Sequence, residues 1–328
     1  MNFLDGLGLE IPVVQAGMGG GVAGGELAGA VSAAGALGTV GIAAPREFAG
    51  ALGVARRRAP GRPVAANLLV PFTRRAHVDA CLAADVDLVV LHGGLAPRWA
   101  ATLRNAGIPV FPTVGTPDEA REALAGGAEG LVVQGIEAGG HLAGVEPVEG
   151  ALAEVRQVAG EGVPVLAAGG VADADDVRRL LALGATAAVA GTRFLLTEES
   201  RAHPLYKRRV LDAERTLVTL LFGIGWPMRH RVVPNPATER WCAAAELAPE
   251  WLQRVGRLSA PLGRALPMTA LETITAVQRP GIPFFSPGLP LAGMPDISVD
   301  RSALYAGETL HRIDNVLTAT EAVARLTP

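Results

Sequence analysis

The residues best suited to chemistry lie in one short segment, Gln134 to His141. It follows Gly130 to Val133, an apolar run rich in β-branched residues that is typical of a buried parallel strand. The segment contains a carboxylate, Glu137, then two glycines and the imidazole of His141. Glycines let the backbone approach a ligand closely, and a histidine can exchange a proton near neutral pH. We expect a flat ligand on this loop, although a tight turn with a solvent-facing histidine would have the same sequence.

Other polar residues interrupt or end apolar runs. Asn67 lies inside one run and Gln134 ends another, so each amide could bond to neighbouring backbone, the usual arrangement, or contact a ligand ring. His92 ends a further run and could share a pocket with His141. Glu137 is expected to hold its own loop through backbone N–H groups rather than to act as a base. The spacing of His, Cys and carboxylate residues predicts no metal site and no Ser-His-Asp triad.

The elements that would position these residues alternate regularly. Eight apolar runs of strand character begin near Pro12, Leu37, Val64, Leu88, Pro109, Gly130, Val163 and Ala187. Stretches of helical periodicity separate them, which is typical of parallel βα units. Eight such units predict an α/β fold, a (β/α)₈ TIM barrel, rather than an open doubly wound sheet. The turn from Gly17 to Gly21 also lacks the glycine spacing of a dinucleotide-binding sheet.

Glycines follow the last two predicted strands, in Ala167 to Gly170 and in Ala190 to Arg193. The loops after these strands of a barrel commonly bind phosphate through backbone N–H groups and a helix N-terminus. We therefore expect a ligand with a single phosphate, whose ring would lie near His141. The alternative is that small residues merely close the barrel.

The alternation stops after Phe194. We expect residues 1–200 and 301–328 to form the barrel, and residues 201–300 to form a smaller, mostly helical subdomain that covers the barrel mouth. An amphipathic helix is expected from Ser302 to Leu326.

Large aromatic side chains are few, at 4% of the chain. Three of them occur among glycines and prolines in the subdomain: Trp226, Phe284 and Phe285. We expect these three to form an apolar wall beside the route of substrate access.

Composition limits the partners and the compartment. The formal net charge of −3 argues against nucleic acid or an anionic membrane as a partner. Cys81 and Cys242 are far apart in the sequence, which predicts free thiols in a reducing compartment. The first residues, Met1 to Asp5, lack the basic region of a signal peptide. We expect a cytoplasmic protein.

Several motifs together resemble one enzyme family. They are Val14 to Gly19, Asn67 to Pro71, Gln134 to His141, Ala167 to Val171, Gly191 to Leu195 and Ala303 to Gly307. In these motifs the chain resembles the nitronate monooxygenases, formerly called 2-nitropropane dioxygenases. The resemblance implies FMN bound in a TIM barrel. FMN-dependent enoyl-acyl carrier protein reductases share nearly all of these motifs, including the Glu-Ala-Gly-Gly-His loop.

The resemblance also implies a role for each matching residue. Those matched to the flavin ring are Ala16, Gly17, Met18 and Gly139, and those matched to the ring or the ribityl chain are Asn67 and Gln134. Those matched to the phosphate are Gly169, Gly170, Gly191 and Thr192. His141 matches the catalytic histidine of the family. Several relatives carry a lysine at the end of the fifth strand where this chain has Thr113, so one contact is expected to differ.

In family terms the substrates are an alkyl nitronate, or a nitroalkane once it is deprotonated, and O₂. The products are a carbonyl compound and nitrite. The first alternative is NAD(P)H-dependent reduction of an enoyl thioester on the same flavin. The second, from another class, is a protein that binds FMN without turnover.

Overall fold

Eight parallel strands close into a barrel in the computed structural model, which describes residues 6–242 and 247–328. The strands in chain order are β1 Val13–Gln15, β2 Gly38–Gly41, β3 Val64–Leu69, β4 Leu88–His92, β5 Val110–Val114, β6 Leu131–Gln134, β7 Gly140–His141, β8 Val165–Ala168, β9 Ala187–Ala190, β10 Leu217–Thr219 and β11 His230–Val232. The barrel runs in the order β1-β9-β8-β6-β5-β4-β3-β2. Two backbone hydrogen bonds close it between β1 and β2: Leu37 N–H donates to Val13 at 3.0 Å, and Gln15 N–H donates to Leu37 at 2.9 Å. The predicted TIM barrel is confirmed.

Apolar side chains from all round the barrel fill its interior. They are Val14, Leu37, Ala65, Leu88, Phe111, Val132, Leu166, Ala187 and Val189. Because both faces of a parallel barrel strand are buried, the strands read as continuous apolar runs. The lower part of the barrel is therefore a packed core, and the chemistry must lie at the carboxyl ends of the strands.

Helices surround the barrel. They are α1 Gly25–Ala33, α2 Pro45–Arg58, α3 Arg75–Ala83, α4 Pro97–Asn105, α5 Pro117–Ala125, α6 Val148–Ala159, α7 Ala174–Ala182, α8 Thr192–Leu195, α9 Pro204–Leu211, α10 Pro236–Cys242, α11 Glu250–Ala265, α12 Met268–Val277 and α13 Ala319–Leu326. Side-chain caps begin two of these helices: Thr116 accepts from Glu119 N–H at the start of α5, and Asp173 accepts from Asp175 and Asp176 N–H at the start of α7. Within the two described ranges, no helix is long and apolar enough to cross a membrane.

A second, three-stranded sheet was not expected. β10 and β11 are antiparallel, and β11 also pairs with β7, the strand that contains His141. The loop after β6 is thereby joined through backbone hydrogen bonds to the segment that follows the barrel. That residues 201–300 form a separate subdomain stays a prediction.

The expected helix from Ser302 to Leu326 is wrong from Ser302 to Thr318. Only α13 is α-helical there, preceded by a short 3₁₀ turn at Glu308–Arg312. The backbone N–H groups of Gly307 and Glu308 donate to the Thr192 hydroxyl and to the Glu137 carbonyl, at 2.9 Å each. Since these groups bond to the barrel loops, the segment cannot form a continuous helix here.

Candidate active site

A cavity of about 280 Å³ lies at the carboxyl ends of the barrel strands. Every residue predicted for the site lines it: Ala16, Gly17, Met18, Asn67, Gln134, Gly139, His141, Gly169, Gly170, Gly191 and Thr192. Thr113 lines it as well. Residues after the barrel strands complete the wall, among them Trp226, Leu271 and Tyr305. The structure thus brings the candidates together, and the role of each stays a prediction.

The loop that carries the histidine is fixed from several sides. The Glu137 carboxylate accepts from Val148 N–H at 3.1 Å, as expected for a carboxylate that anchors its own loop. The Ile136 carbonyl accepts two hydrogen bonds from the Arg231 guanidinium, at 2.7 and 3.0 Å. Because these bonds come from separate parts of the chain, the loop backbone has little freedom to move.

Two further side chains hold the backbone of His141 itself. His92 Nε2 donates to the His141 carbonyl at 3.1 Å, and Gln134 Nε2 donates to the same oxygen at 3.2 Å. The Gln134 carbonyl oxygen accepts from Ala143 N–H at 2.7 Å. Both ends of the Gln134 amide therefore bond to the loop, which is the backbone-satisfying arrangement rather than an amide pointing freely at a ligand.

The His141 ring lies in an aromatic cluster. The Trp226 indole stacks on it with ring centroids 3.7 Å apart and planes 7° apart. His230 and Tyr305 are next, with centroids 5.0 and 5.5 Å away. His141 Nε2 is buried and meets no hydrogen-bond partner among residues 6–242 and 247–328. His141 lines the cavity, so this buried nitrogen without a partner is a candidate for contact with a ligand.

The surroundings keep this histidine neutral. Burial lowers the pKa of His141 well below its ordinary value of 6.5, and the nearby His230 and His92 lower it further. Burial also lowers the pKa of His92 and of His230 to about 4 each. At neutral pH all three rings are uncharged, so His141 presents a free nitrogen lone pair rather than a standing positive charge.

Polar atoms without partners lie across the cavity from the loop. Asn67 Nδ2 donates to the Gly17 carbonyl at 2.6 Å, while Asn67 Oδ1 and Thr39 Oγ1 are buried with no partner in the described parts of the chain. A Cβ at Gly17 would lie 2.2 Å from the Asn67 Cβ, so only glycine permits this approach of backbone to side chain. Unpaired acceptors and hydroxyls in a mostly apolar cavity fit the polar edge of a ring system.

The two glycine loops form the opposite end of the cavity. Gly170 has φ +69°, a left-handed conformation that glycine adopts at low cost. Gly191 is the N-cap of α8, and a Cβ there would meet nothing nearer than the Ala16 Cβ at 3.8 Å. The Thr192 hydroxyl accepts from Gly307 N–H at 2.9 Å. Open space beside glycine backbone that lines the cavity fits a compact anion such as a phosphate.

The family model for nitronate monooxygenase matches residues 51–328. The chain belongs to the nitronate monooxygenase family. Members of this family are flavin-dependent oxidoreductases.

The names of individual relatives specify different enzyme activities. The chain is 37% identical over 247 residues to (3aS,4S,5R,7aS)-5-hydroxy-7a-methyl-1-oxo-octahydro-1H-indene-4-carboxyl-CoA dehydrogenase of Mycobacterium tuberculosis, a match to 71% of this chain and 66% of the relative. It is 42% identical over 141 residues to the nitronate monooxygenase of Pseudomonas aeruginosa, which covers 40% of each chain. The matched regions thus span less than two thirds of these relatives. A solved nitroalkane oxidase from Streptomyces ansochromogenes is 27% identical with a TM-score of 0.75, over 98% of this chain and 96% of that one.

One expectation for this family member fails at the cavity wall. Trp226 lines the cavity as predicted, but neither Phe284 nor Phe285 does. Phe285 is fully buried against Phe222, with ring centroids 5.4 Å apart, and Phe284 is about half exposed. Phe285 belongs to a buried apolar cluster with Phe222, and Phe284 lies at the surface.

Sequence reasoning also missed His230, which it left without a role. The structure places its ring next to that of His141 through the pairing of β11 with β7. Strands of two or three residues have no readable periodicity, so the sequence offered no signal for this contact. Tyr305 was noticed only as part of a motif, although it lines the cavity beside both histidines.

Proposed function

We propose that the cavity binds FMN non-covalently, with the phosphate at the Gly169-Gly170 and Gly191-Thr192 loops. The ring would lie against Ala16, Gly17 and Met18, near Asn67 and Gly139. The fit rests on two kinds of group: open glycine backbone at one end, and the unpaired polar atoms of Asn67 and Thr39 at the other. A single phosphate-sized end favours FMN over FAD. When bound, FMN supplies electron transfer and reactivity with O₂.

We further propose that the protein oxidises alkyl nitronates, and nitroalkanes after deprotonation, to a carbonyl compound and nitrite with O₂ as oxidant. The observation that carries this proposal is a neutral His141 that lines the cavity and whose buried Nε2 has no partner among the described residues. A nitroalkane has an acidic proton on the carbon beside its nitro group, and a neutral imidazole can accept it. The proton gained by His141 would then leave a cation beside the anionic nitronate, which favours holding that anion in place.

Two measurements test this function. Protein purified without added cofactor is heated, and the released flavin is identified by chromatography; FMN is expected, and FAD would contradict the cofactor assignment. The holoenzyme is then mixed without oxygen with propionate 3-nitronate, with NADH, or with buffer, while the flavin absorbance is followed. Bleaching by the nitronate, and none by NADH, is the expected result.

A second candidate is NAD(P)H-dependent reduction of an enoyl thioester on the same flavin. The Mycobacterium tuberculosis relative favours it, because the name of that protein specifies a CoA thioester as its substrate. That relative matches 71% of this chain, whereas the Pseudomonas aeruginosa nitronate monooxygenase matches 40%. In that case NADH bleaches the flavin and an enoyl thioester restores its colour. Bleaching by neither compound would instead indicate a protein that binds FMN without turnover.

A further inference from the structure

We propose that His230 is a positioning residue that fixes Trp226 on His141 by joining the two ends of the segment Phe222–Met228. No proton passes through His230 in this role. It acts on the reaction through Trp226, whose indole covers one face of the His141 ring.

The hydrogen bonds of His230 support this role. Phe222 N–H donates to His230 Nε2 at 3.3 Å, and His230 Nδ1 lies 3.0 Å from the Met228 carbonyl. A backbone N–H can only donate and a carbonyl can only accept, so Nε2 must be unprotonated and Nδ1 must carry the proton. Both nitrogens of one neutral ring are thus engaged, one at each end of the segment that contains Trp226.

The ring is also held in place from behind. His230 is fully buried, and its backbone pairs with that of His141 in the small sheet. The strand pairing therefore fixes the position of His230 relative to His141 independently of the Trp226 segment. The two hydrogen bonds of the His230 ring then hold both ends of the segment at a fixed place relative to His141. In this arrangement the indole packs on the imidazole in a nearly parallel stack.

Trp226 fits this site because the neighbouring backbone leaves room. A Cβ at Gly93 would lie 2.8 Å from the indole, so a side chain there would displace it. Phe72 and His92 border the indole edge-on, with centroids 5.9 and 5.6 Å away. Bonds from outside also reach the middle of the segment: Arg264 Nε donates to the Gly225 carbonyl at 3.2 Å, and Ile224 N–H donates to the Phe285 carbonyl at 3.3 Å.

The first test follows the Trp226 indole directly and does not depend on any proposed reaction. Acrylamide quenching of tryptophan fluorescence is measured in the holoenzyme and in Trp226→Phe, and the difference isolates Trp226 from the other three tryptophans. In His230→Gln, which keeps an acceptor but loses the second bond, we expect Trp226 to become accessible to acrylamide. The double variant His230→Gln/Trp226→Phe is also prepared, so that its quenching can be subtracted from that of His230→Gln to give the contribution of Trp226.

The matched control is His203→Gln. His203 joins two backbone groups in the same manner, accepting from Leu205 N–H at Nδ1 and donating from Nε2 to the Met294 carbonyl. It has no contact with Trp226 in the described structure, so its loss should leave the quenching of Trp226 unchanged. Equal quenching changes in the two variants would overturn the proposal, because they would indicate general loosening.

The second test is a double-mutant cycle in kcat/KM for propionate 3-nitronate, and this arm rests on the proposed function. Misplacing a reacting group by about 1 Å can cost on the order of 10²-fold, so we expect His230→Gln to lose about tenfold or more. In a Trp226→Ala background the same change should cost less than about twofold, since the residue through which it acts is gone. An equal loss in both backgrounds overturns the proposal, whereas absence of nitronate turnover in wild-type protein contradicts only the proposed function.

A measurement on unaltered protein covers the case in which His230→Gln does not fold. Long-range ¹H–¹⁵N spectra of histidine-labelled wild-type protein report which ring nitrogen carries the proton. We expect a proton on Nδ1 of His230. A proton on Nε2 would overturn the proposal, because Phe222 N–H could then not donate to the ring.

Discussion

The Trp226 indole lies flat on the His141 imidazole, with 3.7 Å between ring centroids and 7° between their planes. One face of the imidazole is therefore closed to any ligand. A substrate must reach His141 at the edge of the ring or from its other face. The stack thus defines both the direction of approach and one wall of the substrate space.

Replacing Trp226 should change which substrates are accepted. Trp226→Ala removes this wall, so kcat/KM for long-chain nitronates should rise relative to that for ethyl nitronate. The cavity left in a well-packed region should lower the free energy of unfolding by about 3 kcal/mol. Trp226→Phe, which keeps an aromatic face, is the control for both effects. An unchanged ratio between long and short nitronates in Trp226→Ala would mean that the indole does not limit substrate size.

His141→Asn should separate two activities. Asparagine keeps a hydrogen-bonding side chain but cannot take a proton at neutral pH. Turnover of a neutral nitroalkane should fall by ~10²–10⁴, the usual contribution of a general base. Turnover of the same compound supplied as its nitronate should fall much less, with FMN retained. Steady-state rates on both forms are the measurement, and equal losses would indicate that His141 stabilises charge instead.

Gly191→Asp should prevent flavin retention. The backbone at Gly191 is right-handed, with space for a Cβ, so the substitution adds charge without strain. A carboxylate close to the phosphate in a partly dry site would cost on the order of a few kcal/mol. Gly191→Asn has the same size and no charge, and it should retain more flavin. The ratio of flavin to protein absorbance is the readout, and equal retention in the two variants would show that the phosphate binds elsewhere.

The buried histidines predict loss of stability in mild acid. His92 and His230 have a folded-state pKa of about 4 against an ordinary value of 6.5. As pH falls below about 6.5 the unfolded chain binds protons that the folded chain does not, so the free energy of unfolding falls until the pH reaches about 4. The slope is about 1.4 kcal/mol per pH unit for each fully titrating histidine. Urea denaturation at pH 7 and pH 5 measures the loss.

His230→Gln removes one of these groups and should reduce the dependence of stability on pH. Replacement of the exposed His311 by glutamine is the matched control and should leave the slope as in the wild type. A slope in His230→Gln equal to that of the control would mean that His230 does not resist protonation in the folded protein.

The barrel was predictable because each of its strands is a continuous apolar run bounded by turn residues and followed by a helical stretch. The small sheet was not predictable, since β7 has two residues and its partner β11 is distant in sequence. The segment from Ser302 failed for a related reason. Its apolar spacing resembles a helix, but its backbone N–H groups bond to Thr192 and Glu137 across the fold.

Within the site, the residues on loops after barrel strands were found because parallel strands end at one edge. Trp226 was found because a large aromatic among glycines and prolines is unusual in this chain. What the sequence could not give is the state of His141. Its neutral form depends on burial and on two other histidines, which come together only through tertiary pairing.

The pairing of β7 with β11 also bears on the order of events during synthesis. The strand that contains His141 has no partner until residue 232 has left the ribosome, and Thr192 lacks its bond from Gly307 until that residue has emerged. All eight barrel strands are out by residue 190, well before either contact can form. The cavity is therefore completed late in synthesis, and a truncated product that contains every barrel strand would still lack part of the cavity wall.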